Sequence, residues 1–140
     1  MDPAQTYDLL RTLTTPVVAI TCARAGQRNG MISDGAIRAS IVPDVPQLVV
    51  QIHKWHLTHE IVSETGRFAV HLLHRGQVDV VTRLGFASGR ERDKLANVAY
   101  RIGVTGCPIL EDCFRYPGNL AAARDRARPL AWVFTPTPTP

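Results

Sequence analysis

The sequence predicts a mainly β domain in which the strands pair mostly antiparallel and short helices pack outside the sheet. Two observations lead to this fold class. Short β-branched runs are separated by turn-forming residues, a pattern that is typical of hairpins. The helical segments between them are shorter than those that connect the strands of a doubly wound parallel sheet. A chain of 140 residues can bury about two-thirds of its unfolded surface, so we expect one modest core.

The first two elements follow from the residues before position 23. Residues 6–12 place apolar side chains at loose helical spacing, which predicts a short leading helix. Pro16 ends that helix, because proline cannot continue the pattern of backbone hydrogen bonds. Residues 17–22 are rich in β-branched side chains and predict the first strand.

The next segment predicts a hairpin. The pair Asn29-Gly30 favours a tight turn, because both residues tolerate a positive φ. We expect this turn to join the first strand to a second one over residues 31–41. Gly35 weakens that second strand and marks either a bulge or a place where a ligand lies against the backbone. A third strand is predicted over residues 48–52.

The middle of the chain predicts two helices with a strand between them. Residues 57–65 place apolar side chains on one face, and Gly66 follows as a helix C-cap requires. Residues 67–73 read as a strand, in which His71 points away from the apolar positions and is expected at a rim or an interface. Residues 77–86 again show helical spacing.

Composition and charge exclude several classes of function. With 45% hydrophobic and 20% charged residues, the chain is typical of a soluble globular protein. No apolar run approaches the roughly 20 residues of a membrane helix, and no signal peptide is visible, so we expect a cytoplasmic location without a membrane partner. The net charge of +4 is a weak pointer to an anionic partner such as a nucleotide, but the scattered basic residues do not indicate nucleic acid. An odd set of three cysteines fits a reducing compartment.

Three other features allow a functional and a plain interpretation. His53, His56 and His59 are spaced by three residues, a pattern that also occurs in transition-metal sites. Surface histidines explain the pattern without a metal, so we predict no metal site. The charged residues 88–94 are most simply a solvated loop. Trp55 can cap the core, stack on a flat ligand or be buried against a second subunit, and the sequence does not rank these roles.

Several short motifs occur in a recognisable order between Pro16 and Leu110. They are Pro16-Val17-Val18-Ala19-Ile20-Thr21, Asn29-Gly30-Met31, Ala39-Ser40-Ile41-Val42-Pro43, Leu48-Val49-Val50, Thr58-His59-Glu60, Gly66-Arg67-Phe68-Ala69-Val70-His71-Leu72-Leu73, Asp93-Lys94-Leu95 and Gly106-Cys107-Pro108-Ile109-Leu110. In this order and spacing the chain resembles the flavin reductase-like family, whose fold is the FMN-binding split β-barrel.

The resemblance implies a homodimer that binds FMN or FAD, with NADH or NADPH as the hydride donor. It implies a flavin reductase that supplies reduced flavin to a partner oxygenase. The residues carried over as cofactor-binding positions lie in two stretches: Asn29, Gly30, Met31, Ile32, Ser33 and Ser40 around the flavin, and Lys54, Thr58 and His59 at its phosphate. Alternatives are a non-catalytic protein that binds FMN or haem, and a truncated, inactive family member.

The C-terminal part departs from the family pattern. The family continues with further barrel strands, whereas nothing after Glu111 matches them. We therefore expect a split-barrel domain over residues 1–114, incomplete at its C-terminus, and an atypical, partly disordered tail over residues 115–140. Within this tail, residues 120–128 predict a short basic helix and the Thr-Pro repeat predicts extended chain.

Overall fold

A computed structural model describes residues 2–42, 47–113, 121–123 and 132–134. In these ranges the chain forms strands connected by short helices, which confirms the predicted fold class. The helices are α1 (Pro3–Leu10), α2 (Leu57–Thr65) and α3 (Val78–Gly85), and a 3₁₀ turn, Arg75–Gln77, precedes α3. The strands are β1 (Val18–Arg24), β2 (Gln27–Ser33), β3 (Ala36–Arg38), β4 (Leu48–Val50), β5 (Arg67–Leu72), β6 (Tyr100–Ile102), β7 (Pro108–Leu110), β8 (Ala121–Ala123) and β9 (Trp132–Phe134).

The strands form three sheets in which every pair is antiparallel. The largest has the order β2-β1-β5-β8, the second has the order β3-β4-β9, and β6 pairs with β7 as a hairpin. Antiparallel pairing needs no long crossover, so the connecting helices can stay short. No helix in the described ranges has the length and apolar character that a bilayer crossing requires.

The predicted turn at Asn29-Gly30 is wrong. The β1–β2 hairpin closes four residues earlier, at Ala25 and Gly26, where Gly26 has a φ of 73°. Asn29 and Gly30 lie within β2, opposite Cys22 and Thr21 of β1. Packing explains the glycine at position 30, because a Cβ there would lie 2.9 Å from Cδ2 of Leu84 in α3.

The predicted second strand is divided into β2 and β3. The Ser33 hydroxyl accepts a hydrogen bond of 3.1 Å from the Gly35 backbone N–H, which turns the chain between the two strands. A Cβ at Gly35 would lie 2.8 Å from the Cβ of Gln51. The glycine is therefore explained by close packing of β3 against the segment after β4.

The helix α2 has the predicted bounds. It ends at Gly66, which has a φ of 69° and donates its backbone N–H to the Val62 carbonyl at 2.8 Å. Helix α1 begins earlier than predicted, at Pro3, and buries none of its residues. The helix predicted over 77–86 is α3, and its first residue Gln77 belongs to the preceding 3₁₀ turn.

Strand β1 lies at the centre of the core. One face packs Val18, Ile20 and Cys22 against α2 and β5, in a cluster that includes Ile61 and Phe68. On the other face, Ala19 packs in a second cluster with Leu84, Leu95 and Leu110. Because both faces of β1 are covered, its first five residues are all buried.

The helix predicted over residues 120–128 is wrong where the structure describes the chain. Ala121–Ala123 is β8, which pairs with residues 67–69 of β5. Strand β9 pairs with β4. Strand pairing satisfies the backbone groups of both segments and extends two sheets. The Thr-Pro repeat after residue 134 lies outside the described residues, and the division at residue 114 remains a prediction.

Candidate functional site

A cavity of about 250 Å³ opens where β2, the start of α2 and the end of α3 meet. Its apolar walls come from Met31, Ile32, Leu57 and Leu84, and its polar groups include Asn29, Thr58 and Lys94. Residues 87–89, which follow α3, cover one side, and Trp55 and His56 line the side next to α2. The cavity therefore combines apolar surface with a small number of hydrogen-bond donors, as small-molecule sites do.

Asn29 and Thr58 join two walls of the cavity. The Asn29 side-chain N–H donates to the Thr58 hydroxyl at 2.9 Å, and both side chains are buried. Gly89 lies directly against the other atom of the amide, because a Cβ at position 89 would be 2.1 Å from Oδ1 of Asn29. The loop of residues 87–89, the covering loop, therefore lies so close to β2 that position 89 has no room for a Cβ.

Lys94 brings a buried cation to the cavity. Its ammonium group donates a 2.8 Å hydrogen bond to the Leu84 carbonyl in the last turn of α3, and the residue is only 9% exposed. Burial lowers the pKa of Lys94, the nearby Cys22 raises it and Arg92 lowers it further. In the described part of the chain no carboxylate forms an ion pair with this ammonium.

The start of α2 adds positive potential on the same side. His56 is the N-cap residue, and its side chain makes no capping hydrogen bond with the first turn. A helix N-terminus carries partial positive charge and exposes backbone N–H groups. Desolvation, followed by His53, Lys94 and His59, lowers the pKa of His56, which favours its neutral form. The cation at this wall is therefore Lys94.

Four of the sequence-predicted site residues line the cavity, namely Asn29, Met31, Ile32 and Thr58. Gly30 and Ser33 flank them on β2 but have other contacts. Gly30 lies under Leu84, and the buried Ser33 hydroxyl bonds the turn at Gly35. These two residues shape the strand that carries the lining side chains.

The other three predicted site residues do not line this cavity. The Ser40 hydroxyl accepts a hydrogen bond from the Val42 N–H at 3.1 Å. The Lys54 ammonium is exposed and lies 5.0 Å from the centre of the Trp55 ring. His59 is half-buried, with its Nδ1 3.4 Å from the Ser63 hydroxyl.

Sequence reasoning missed Lys94 and Gly89. The charged run 88–94 reads as a solvated loop because alternating charges usually face water. Residues 90–93 are indeed exposed, whereas Lys94 turns inward to Leu84. The motif Asp93-Lys94-Leu95 already belonged to the family resemblance, and that was the signal available in the sequence.

His71 has a structural role, and its expected place at a rim or interface is wrong. It is buried, with Nδ1 3.3 Å from the Ala19 carbonyl and Nε2 accepting from the Leu110 N–H at 3.1 Å. Burial lowers its pKa to about 4. Among the residues that the structure describes, no group of three or more His, Cys, Asp or Glu side chains is arranged to hold a metal ion.

Curated relatives align with most of this chain. A protein of Moorella thermoacetica named high molecular weight rubredoxin is 34% identical over 104 residues, which cover 74% of this chain and 44% of the relative. A protein of Rhizobium meliloti named "Probable flavin reductase" is 33% identical over 112 residues, which cover 79% of this chain and 34% of the relative. The chain thus spans less than half the length of these relatives.

Two solved structures show the same fold. NADH:FAD oxidoreductase SgcE6 of Streptomyces globisporus superposes with a TM-score of 0.77 at 20% identity, covering 96% of this chain and 80% of that one. A homolog of nitrilotriacetate monooxygenase component B from Mycobacterium thermoresistibile gives 0.76 at 23% identity, with 94% and 72% covered. The family model described as "Flavin reductase like domain" matches residues 10–117. With most of its length matched by that model, the chain belongs to the flavin reductase-like domain family.

Proposed function

We propose that the protein is a flavin reductase that transfers hydride from NADH or NADPH to FMN or FAD. The observation that carries this proposal is the cavity at the start of α2, in a chain that belongs to the flavin reductase-like family. Relatives named as flavin reductase and as NADH:FAD oxidoreductase support the same reaction. Which flavin and which nicotinamide nucleotide are used is part of the test.

The chemistry of the cavity fits a flavin nucleotide. A flavin has a flat heteroaromatic ring and an anionic tail, and the cavity offers apolar side chains together with a buried ammonium. Met31, Ile32 and Leu84 would contact the ring by apolar surface. Asn29 and Thr58 hold β2 against α2 and keep these walls at a fixed distance.

Bound flavin supplies the hydride-accepting ring, so the protein has to bind, orient and exclude water rather than donate a reacting side chain. No described residue in the cavity is needed as an acid or a base for hydride transfer. The covering residues 87–89 limit the access of solvent on one side. Trp55, which is 71% exposed, borders the open side, where a nicotinamide ring could stack.

A homodimer and an oxygenase partner extend the proposal. Four apolar side chains in and after α1 are more than half exposed: Tyr7, Leu9, Leu10 and Leu13. Burial of this surface against a second copy would remove apolar area from water.

A neighbour in fold is named as a monooxygenase component B, which supports an oxygenase as the consumer of reduced flavin. Free cysteines at positions 22, 107 and 113 support the cytoplasm as the compartment.

The decisive experiment is a titration of the purified chain with FMN and with FAD, followed by flavin fluorescence under anaerobic conditions. NADH or NADPH is then added to the saturated sample. At neutral pH we expect saturable binding of the flavin, followed by loss of the visible absorbance of oxidised flavin when the nicotinamide nucleotide is added. Ile32→Trp, which places a larger side chain in the cavity from a half-buried position, serves as the matched variant and is expected to lose binding while keeping a cooperative unfolding transition.

Three other outcomes separate the alternatives. Flavin or haem that binds but is not reduced by either nucleotide would indicate a non-catalytic carrier. A folded sample that binds no flavin would contradict the proposal and indicate an inactive family member. Unfolding without a cooperative transition would indicate that the chain needs a partner to fold.

A further inference from the structure

We propose that Glu60 is a positioning residue that holds the covering loop over the cavity through Arg90 and thereby slows the release of bound flavin. The inference rests on the proposed function, since a reductase that supplies a partner has to release its reduced flavin. It is carried by the ion pair between Arg90 and Glu60, by the second bond of the Glu60 carboxylate and by the hydrogen bonds of the loop.

Arg90 directly follows the covering loop and connects it to α2. Its guanidinium donates a 2.8 Å hydrogen bond to Oε2 of Glu60, which lies in the first turn of α2. Two residues before Glu60 on this helix is Thr58, whose hydroxyl accepts the hydrogen bond from Asn29 at the cavity. The first turn of α2 is therefore bonded both to β2 and to the segment that covers the cavity.

The Glu60 carboxylate is held in place by a second arginine. Its other oxygen, Oε1, accepts a 2.7 Å hydrogen bond from Arg24 in β1, and Arg24 also donates to Glu64 at 2.7 Å. The hydrogen bonds from Arg90 and Arg24 lower the pKa of Glu60, so the carboxylate is ionised at neutral pH. Because Arg24 already orders this side chain, pairing with Arg90 costs less conformational entropy than an isolated surface pair does.

The other hydrogen bonds of the loop are local. They converge on Ser88, whose carbonyl accepts the backbone N–H groups of residues 91 and 92 and whose hydroxyl accepts that of Arg90. Among the described residues, the bond from Arg90 to Glu60 is the one hydrogen bond that links residues 87–93 to another helix or strand. Opening of the loop therefore requires the loss of one ion pair and the separation of Gly89 from β2, and no strand has to unpair.

A purely structural role for Glu60 makes a different prediction. Through Arg24 the carboxylate also joins α2 to β1, and loss of that link would lower stability. If this were its whole role, Arg24→Gln would reproduce the effects of Glu60→Gln, and Arg90→Gln would leave flavin release unchanged. The rate of flavin release is therefore the quantity to measure.

The test determines the rate constant of flavin dissociation. The chain is loaded with FMN, or with FAD if only FAD binds, and is diluted in a stopped-flow instrument while flavin fluorescence is followed. The variants are Glu60→Gln, Arg90→Gln, Arg90→Lys and the double variant Glu60→Gln/Arg90→Gln. Glu64→Gln and Arg24→Gln are the matched controls, because they break the link between α2 and β1 and keep the bond from Arg90 to Glu60.

We expect Glu60→Gln and Arg90→Gln each to release flavin about 2- to 5-fold faster, the range for an exposed ion pair. The double variant should be no faster than either single variant, because both substitutions remove the same contact. Arg90→Lys should keep part of the effect, and both controls should release flavin at the wild-type rate. Between about 10 mM and about 1 M salt the screening length falls from about 30 to about 3 Å, so the difference between the wild type and Arg90→Gln should disappear.

A wild-type release rate in Arg90→Gln would overturn the inference while leaving the flavin reductase proposal intact. An equal acceleration in Arg24→Gln, or a difference between the wild type and Arg90→Gln that persists at high salt, would overturn it as well. If the folded wild type binds neither flavin, the proposed function fails and the inference fails with it. The Arg90 side chain is 52% exposed, so Arg90→Gln decides the matter even if Glu60→Gln does not fold.

Discussion

The Asn29 side-chain N–H donates to the Thr58 hydroxyl across the edge of the cavity, at a distance of 2.9 Å. Asn29 belongs to β2 and Thr58 to the first turn of α2, and both are buried. Their hydrogen bond fixes a strand of the large sheet to the helix that begins the second half of the domain. The contact joins two of the elements that line the cavity.

Thr58→Val removes the acceptor without changing the shape of the side chain. The Asn29 N–H is then left buried without its partner, which we expect to cost about 1–3 kcal/mol of the free energy of unfolding. Urea unfolding followed by circular dichroism measures this loss. Thr58→Ser keeps the hydroxyl and should lose less than half as much; equal losses in the two variants would contradict the role given to the hydrogen bond.

Gly89→Ala tests the close approach of the covering loop. A Cβ at this position would lie 2.1 Å from the Asn29 Oδ1, so the loop has to move away from β2. We expect weaker flavin binding, by about 10-fold or more, measured by fluorescence titration. Gly85→Ala is the matched control in the same cavity, because its Cβ would meet Ile32 at an ordinary 3.4 Å. A Gly89→Ala variant with wild-type affinity would show that the loop does not shape the site.

His71 predicts how stability depends on pH. Its ordinary pKa of 6.5 falls to about 4 in the folded chain because of burial, so the unfolded chain takes up this proton first as the pH falls. The contribution of neutral His71 is present above about pH 6.5 and is lost progressively towards pH 4, to a total of about 3 kcal/mol. Urea unfolding at pH 7 and pH 5 measures the change.

The comparison variant is His71→Gln, which can still accept from Leu110 and donate to Ala19 but has no charge to gain. Carboxylates that titrate in the same range affect both proteins equally, so the difference in pH dependence isolates His71. We expect a shallower decrease of stability for His71→Gln between pH 7 and pH 5. Identical slopes would mean that His71 is not buried as described.

The exposed apolar surface of α1 predicts a dimer. Tyr7→Ser combined with Leu10→Ser removes two large side chains that are 64% and 55% exposed. We expect the wild type to sediment as a dimer and this variant to shift towards the monomer, measured by analytical ultracentrifugation over a range of concentrations. Gln5→Ser in the same helix should have no effect. A wild type that is monomeric at all concentrations would reject α1 as a dimer surface.

The parts of the fold that were predictable from the sequence are those decided by local chemistry. Helix α2 was predicted with its observed bounds because its apolar spacing and Gly66 both act within a few residues. The prediction of a turn at Asn29-Gly30 was wrong, because Gly30 packs against Leu84, which is more than fifty residues away in the chain. A turn propensity cannot reveal such a distant contact.

The site shows the same limit. Asn29, Met31, Ile32 and Thr58 line the cavity, and their assignment as cofactor-binding residues comes by carry-over from the family's binding stretch. The charge pattern places Lys94 in a solvated loop. It cannot reveal the burial of Lys94, because that burial depends on a hydrogen bond to the Leu84 carbonyl, ten residues earlier in α3. A charge pattern describes the average exposure of a segment, whereas a single side chain such as Lys94 can be buried while its neighbours are exposed.

Strand β1 has a neighbouring strand on each edge and a packed cluster on each face. Its backbone N–H groups can therefore meet solvent only when the sheet and both clusters come apart together. In deuterated buffer we expect the amide protons of Ile20 and Thr21 to be among the last to exchange. Their exchange rate, under conditions where refolding is fast, reports the free energy of the largest cooperative opening of the domain.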